Sequence, residues 1–157
     1  MEFREMRAEE IEHVAKLHNE LAYFIQKETK DDYWNFEILT TVIICEHLKS
    51  FLNNQERKIL IAKENETIIG FIAGEIVGCH LPISTIKKVG YISGAYILDE
   101  YRGMGVMKNL EKLILEFFKN RGLDYVEVCF ISKNQIARKC WDKLGYVVFR
   151  EQARKKI

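Results

Sequence analysis

A chain of 157 residues with nine glycines, one proline and 48% hydrophobic residues can bury a core without disulfides or metal. That composition excludes the collagen-like, disordered and disulfide-scaffold classes. The 24 Lys and Arg residues stand against 23 Asp and Glu, a formal net charge of +1, so no overall field attracts a polyanion and nothing points to nucleic acid. Cys45, Cys79, Cys129 and Cys140 are widely spaced and three sit in apolar runs, the pattern of reduced, buried thiols rather than metal ligands. Residues 1–5 lack the apolar stretch of a secretory leader, and no run approaches the ~18 apolar residues of a membrane span. One cytoplasmic domain over residues 1–157, with no membrane partner, is the expectation.

In chain order, Phe3 to Arg7 reads as a short strand. From Glu9 to Gln26, Ile11, Val14, Ala15, Leu21, Ala22 and Ile25 recur at helical spacing, and Lys30-Asp31-Asp32 breaks the pattern. A second helix covers Glu37 to Leu52, length outweighing the β-branched run Val42-Ile43-Ile44. Lys58 to Lys63 and Thr67 to Val77 are strands joined by a short polar hairpin connection. A loop with His80 and Pro82 leads to a long strand from Lys87 to Leu98. Val106, Leu110, Leu113, Ile114 and Phe117 mark a helix stopped at Gly122, and Tyr125 to Phe130 is a strand. Asn134 caps a helix whose face holds Ile136, Ala137, Cys140, Trp141 and Leu144, with Gly145 as its stop. A last strand runs from Tyr146 to the end. The order β-α-α-β-β-β-α-β-α-β predicts an α/β fold, a mixed sheet in three layers with helices on both faces.

The segment from Ile97 to Lys108 carries the chemistry. It joins a strand end to a helix start through a loop holding Gly103 and Gly105, which presents main-chain N–H groups at the positive end of a helix dipole. Arg102 and Lys108 add positive charge, and the site suits phosphate. A P-loop is excluded because Gly-Lys-Ser/Thr is absent. A dinucleotide fingerprint fails too, since Lys108 stands where its third glycine belongs and Asp124 precedes its strand. A plain structural turn is the remaining alternative for the loop taken alone.

At this loop the sequence resembles the GCN5-related N-acetyltransferases. Arg102-Gly103-Met104-Gly105-Val106 is similar to that family's pyrophosphate loop, R/Q-x-x-G-x-G/A. Asn134, Ala137, Trp141, Lys143, Leu144, Gly145 and Tyr146 are similar to its later pattern N-x-x-A-x-x-Y-x-K-x-G-F. The resemblance implies acetyl-CoA as cosubstrate and an amine-bearing acceptor; Cys79-His80 and Cys45-Glu46-His47 have no matching ligand pairs at zinc spacing, so no metal is expected. The resemblance places the pyrophosphate on the N–H groups of Arg102, Gly103, Met104, Gly105, Val106 and Met107. The pantetheine arm would pair with the backbone of Tyr96, Ile97 and Leu98, with Asn134 and Ala137 on its far side. Met107 departs from the family's Gly or Ala.

Two further departures bear on catalysis. Trp141 stands where the family commonly has a tyrosine acid, and an indole N–H is no usable acid. Ser93 and Gly94 stand where many relatives carry acidic residues. Glu75, on the neighbouring strand, is the candidate general base, and Ser93 a candidate for orienting a water. Cys140 reads as core, and His18, on the apolar face of the first helix, as a hydrogen-bonded core histidine in preference to an acceptor-pocket residue. Tyr33-Trp34-Asn35-Phe36 reads either as an acceptor-pocket wall or as a hydrophobic plug. Direct acetyl transfer from acetyl-CoA to an amine is the expected function. A non-catalytic acyl-CoA sensor is the alternative, and a homodimer the expected assembly.

Overall fold

Alternation along one strand builds the centre of the molecule. In β2 (Arg57–Glu64), Ile59 and Ile61 point to one side of the sheet and Leu60 and Ala62 to the other, and all four are buried. Both faces are therefore covered, which demands helices on each side. The structure, a computed structural model, describes residues 1–157. Its sheet has the order β1 (Glu2–Glu5), β2, β3 (Thr67–Gly78), β4 (Lys88–Ile97), β5 (Val126–Val128). The first four strands pair antiparallel with one another, and β5 runs parallel to β4. Asn65, at φ 53°, turns the tight connection from Glu64 to Thr67, a left-handed position that asparagine tolerates.

On one face lie α1 (Ile11–Thr29) and α2 (Thr41–Lys49). Val14, Ala15 and Leu17 of α1 pack with Leu48 of α2 over Phe71 and Ala73. On the other lie α3 (Val106–Lys119) and α4 (Gln135–Lys143). There Leu110, Ile114, Phe118 and Trp141 cover Leu60, Ile72 and Ile92. Burying side chains of this size contributes roughly 1.5–3 kcal/mol each. The expected three-layer α/β arrangement is what the chain forms.

Three expectations need correction. The last strand, from Tyr146 onward, does not form, because the apolar run ends at Phe149 and the chain then becomes strongly charged. The neighbouring β5, three residues long, offers little edge to template one. The second helix is shorter than read, starting at Thr41, since Val42 and Ile43 are exposed and only Leu48 is buried. None of the four cysteines is fully buried, and Cys129 is exposed: Cys79 and Cys129 directly follow the ends of β3 and β5, while Cys45 and Cys140 lie within the short helices α2 and α4, which are only part-covered.

Candidate active site

Beyond Ile97 the chain makes a single 3-10 turn, Asp99–Tyr101, before the glycine loop and α3. Arg102 does not reach outward as the charge pattern suggested. Its Nε donates to the Ile97 carbonyl at 3.0 Å, its Nη1 pairs with Asp99 Oδ1 at 2.7 Å, and its guanidinium stacks 4.7 Å from the Phe24 ring. The Arg102 N–H is also spent, on the Asp99 carbonyl. Gly103 and Gly105 both sit at φ 79°, a left-handed conformation that suits glycine, and a Cβ on either would meet nothing within 4 Å. The N–H groups of Gly103, Met104 and Gly105 donate to no carbonyl in a turn or loop. Those of Val106, Met107 and Lys108 precede the first helical bond, from Asn109 N–H to the Gly105 carbonyl at 3.1 Å. The Val106 side chain is buried and Met107 packs against the core under α3, so the side chains turn inward. What remains is an open collar of donors at the positive end of a helix.

The collar continues into an unpaired strand edge. Pairing between β4 and β5 covers only Gly90, Tyr91 and Ile92, after which the two parallel strands separate. Leu98 N–H donates to the Ile69 carbonyl at 2.9 Å, so alternation turns the backbones of Leu98 and Tyr96 towards β3 and those of Ile97 and Ala95 to the open side. Of Tyr96, Ile97 and Leu98, then, only Ile97 offers its backbone there, and its carbonyl is already engaged by Arg102. Asn134 heads α4, buried, with Oδ1 accepting the Ala137 N–H at 3.0 Å, which leaves its amide nitrogen as the group available to a ligand.

Near the end of the paired stretch the β3–β4 register skips Ser93, since Ala73 faces Gly94 and Gly74 faces Ile92. This bulge exposes Ser93 at the floor of a cavity of about 390 Å³ on the α1 and α2 side. His18 and Asn19 of α1 line it, together with Trp34 and Phe36 from the turn and Leu39 and Ile44 around α2. His18 stacks on Phe71 with ring centroids 4.2 Å apart, and its Nε2 is buried without a hydrogen-bond partner. It is therefore not the hydrogen-bonded core histidine expected. Burial, helped by the nearby His47, pushes its pKa down to about 4, so the ring is neutral at neutral pH. Asn19 Oδ1 is likewise buried and unpartnered. Arg154, from the tail, holds Asp31 with bonds of 3.0 and 2.7 Å and lies 4.2 Å from the ring of Tyr33, another lining residue.

A model of the acetyltransferase (GNAT) family matches residues 12–146. The chain belongs to this family. It is thus an acetyl-CoA-dependent acyltransferase, and the donor collar and open β4 edge fit the resemblance drawn from the loop and the Asn134 segment. Among solved structures, the chain is similar to the BH1408 protein from Bacillus halodurans at 21% identity, with a TM-score of 0.87, covering 100% of this chain and 99% of that one. It is similar to the aminoglycoside 6'-N-acetyltransferase AAC(6')-IG from Acinetobacter haemolyticus at 16% identity and a TM-score of 0.79, covering 100% and 99%. AAC(6')-Iy in complex with a bisubstrate analog of CoA matches at 18% identity and a TM-score of 0.77, covering 99% and 97%. No curated protein sequence matches the chain.

In this acetyltransferase the expected base and acid positions are otherwise engaged. Glu75 lies 3.5 Å from Arg57, its cross-strand neighbour, and is not among the residues lining the cavity. Trp141 is buried, edge-on to Tyr146 at 5.2 Å. The Tyr146 hydroxyl donates to Glu111 Oε1 at 3.4 Å, and burial pushes the pKa of both groups up. Burial also raises the Cys140 thiol, in keeping with a core role. His80 packs beside Phe149 of the tail, not in the cavity. The segment Tyr33 to Phe36 contributes three side chains to the cavity wall. Sequence reasoning missed Ala95, Asn19, Leu39 and Ile44. Only strand alternation could have pointed to Ala95, and no local signal marks the others.

Proposed function

We propose that this acetyltransferase moves an acetyl group from acetyl-CoA directly to an amine, without a covalent enzyme intermediate. One continuous arrangement carries the reading: the donor collar at Gly103 to Lys108 leads along the open side of β4 to the cavity floor at Ser93. The collar would hold the pyrophosphate through N–H groups and the helix dipole. Ile97, Ala95 and Asn134 would hold the arm, and acetyl-CoA would supply an activated acyl group as a thioester. A main-chain N–H on the open side of β4 would stabilise the oxyanion. The acceptor amine would enter from the cavity, on the α1 and α2 side of the sheet.

A thiol has a pKa near ~8.5, so CoA leaves tolerably without a protein acid, and a buried Trp141 does not preclude turnover. The same Trp141, with Glu75 tied to Arg57, favours the second reading, a module that binds acyl-CoA without turning it over. Two measurements test them, and the second separates them. Thermal stabilisation by millimolar acetyl-CoA is expected under both readings, and its absence overturns both. Release of free thiol above background hydrolysis with a panel of amines supports the enzyme, and stabilisation without release supports the sensor.

A further inference from the structure

We propose that Glu127 is the general base of the transfer, taking the acceptor's proton through one water beside the point where β5 parts from β4. The inference rests on the acetyl-transfer reading above and supplies the group that Glu75, tied to Arg57, does not.

Strand alternation is the first argument. Val126 and Val128 pack with the core under α3 and α4, so Glu127 between them points to the α1 and α2 side of the sheet. Its partner in the β4–β5 ladder is Tyr91. Tyr91 faces the same side, because a Cβ on Gly90 would meet Phe118 of α3 and Ile92 belongs to the core beneath that helix. Glu75 stands opposite Tyr91, and Arg57 opposite Glu75. A row of Arg57, Glu75, Tyr91 and Glu127 therefore crosses the acceptor side of the sheet.

The row adjoins the site of reaction. Ser93, at the cavity floor, lies two residues beyond Tyr91 on the same side, roughly 6–7 Å along β4. One glutamate side chain and one water span such a gap. Pairing with β5 ends at Ile92 and Val128, so Glu127 stands beside the opening along which the arm of acetyl-CoA would run.

Charge is the second argument. The strands carry five carboxylates, and a cation holds four of them: Arg4 holds Glu2, Lys58 holds Glu5, the N-terminal amine holds Glu64 and Arg57 holds Glu75. Glu127 is in no ion pair and is half-buried, so it can take a proton and return it to solvent. The groups that share its surroundings are the Tyr91 hydroxyl, Cys129 two residues along β5, Glu75 with its Arg57, and Arg150 of the tail. Burial, with the fields of Cys129, Glu75 and Glu127, pushes the Tyr91 phenol up, so it stays protonated and does not compete as a base. Arg150 makes no ion pair and lies 5.9 Å from the ring of Phe149.

The acceptor arrives as an ammonium ion. It gives one proton through the water to the Glu127 carboxylate, which passes it on to solvent. The freed lone pair attacks the thioester carbon. A C–N bond forms and the C–S bond breaks. CoA leaves as the thiolate, and the second proton on nitrogen passes to solvent.

The test measures kcat/KM for spermidine, kanamycin and 2-phenylethylamine, all ammonium ions at neutral pH, and for hydroxylamine, largely neutral there. Acetyl-CoA binding is followed separately by calorimetry. Glu127→Gln is expected to lower kcat/KM about 100-fold for the charged amines that the parent acetylates, with acetyl-CoA Kd unchanged and hydroxylamine nearly as fast as before. The residual rate should climb about tenfold per pH unit with the free amine in solution, where the parent levels off. Glu127→Asp keeps a carboxylate and recovers part of the loss. A Glu127→Gln enzyme as fast as the parent, an equal loss with hydroxylamine, or the same pH signature in Cys129→Ser instead, overturns Glu127 as the base. A parent that binds acetyl-CoA and acetylates none of the four, or that binds no acetyl-CoA, overturns the underlying acetyl-transfer reading instead.

Discussion

Arg102 Nε donates to the carbonyl of Ile97 across the loop that separates β4 from α3, 3.0 Å apart. This bond, with the Asp99 pair and the stack on Phe24, fixes the angle at which the donor collar leaves the strand. A hydrogen bond from a charged group contributes roughly 1.5–3 kcal/mol. Arg102→Met is therefore expected to raise the acetyl-CoA Kd about 10- to 100-fold through loss of loop geometry, measured by calorimetry. A variant as tight as the parent would show that the loop holds its shape without this tie.

Gly105 and Gly122 provide a matched pair. Their φ values are 79° and 73°, and a Cβ on either meets nothing within 4 Å, so alanine at each strains only the backbone, by about 1–2 kcal/mol. Gly105 opens α3 and Gly122 follows its end. Both Gly105→Ala and Gly122→Ala should lower the unfolding free energy alike in urea titrations, while only Gly105→Ala weakens acetyl-CoA binding.

His18 links stability to pH. Its pKa falls from 6.5 to about 4 on folding, with burial as the main cause. Between those values the unfolded chain binds the proton that the folded chain refuses, so stability is full above about pH 6.5 and declines as pH falls towards 4. The loss amounts to about 3 kcal/mol. Urea unfolding from pH 7 to pH 4 should show this slope, and His18→Phe should flatten it.

Arg154 closes the tail over the acceptor side. Its pair with Asp31 holds that carboxyl down to about 2, so the tie persists through the usual carboxylate range and is lost only as pH falls through about 2. Arg154→Ala frees both Asp31 and the Tyr33 ring at the cavity wall. The expected result is a several-fold higher KM for the acceptor in steady-state kinetics, with acetyl-CoA affinity unchanged.

What the sequence revealed was local. Gly103 and Gly105 ahead of the Val106, Leu110, Ile114 stripe announce a turn and a helix start within a few residues, and Asn134 announces its cap in the same way. Long-range register was not legible. The Ser93 bulge exists only because Ala73 faces Gly94 while Gly74 faces Ile92, and the outward turn of Ile97 follows from a bond between Leu98 and Ile69. Glu75 looked free as a base until β2 set Arg57 opposite it. Tyr146 to Ile157 read as a strand because its apolar start was visible and the shortness of β5 was not.

The most direct measurement follows backbone amide resonances in uniformly nitrogen-15-labelled protein as acetyl-CoA is added. The largest shifts are predicted for Gly103, Met104, Gly105, Val106, Met107 and Lys108, with smaller ones at Ala95, Ile97 and Asn134. Saturating acetyl-CoA that leaves the Gly103 to Lys108 amides unmoved, while others shift, would contradict the account.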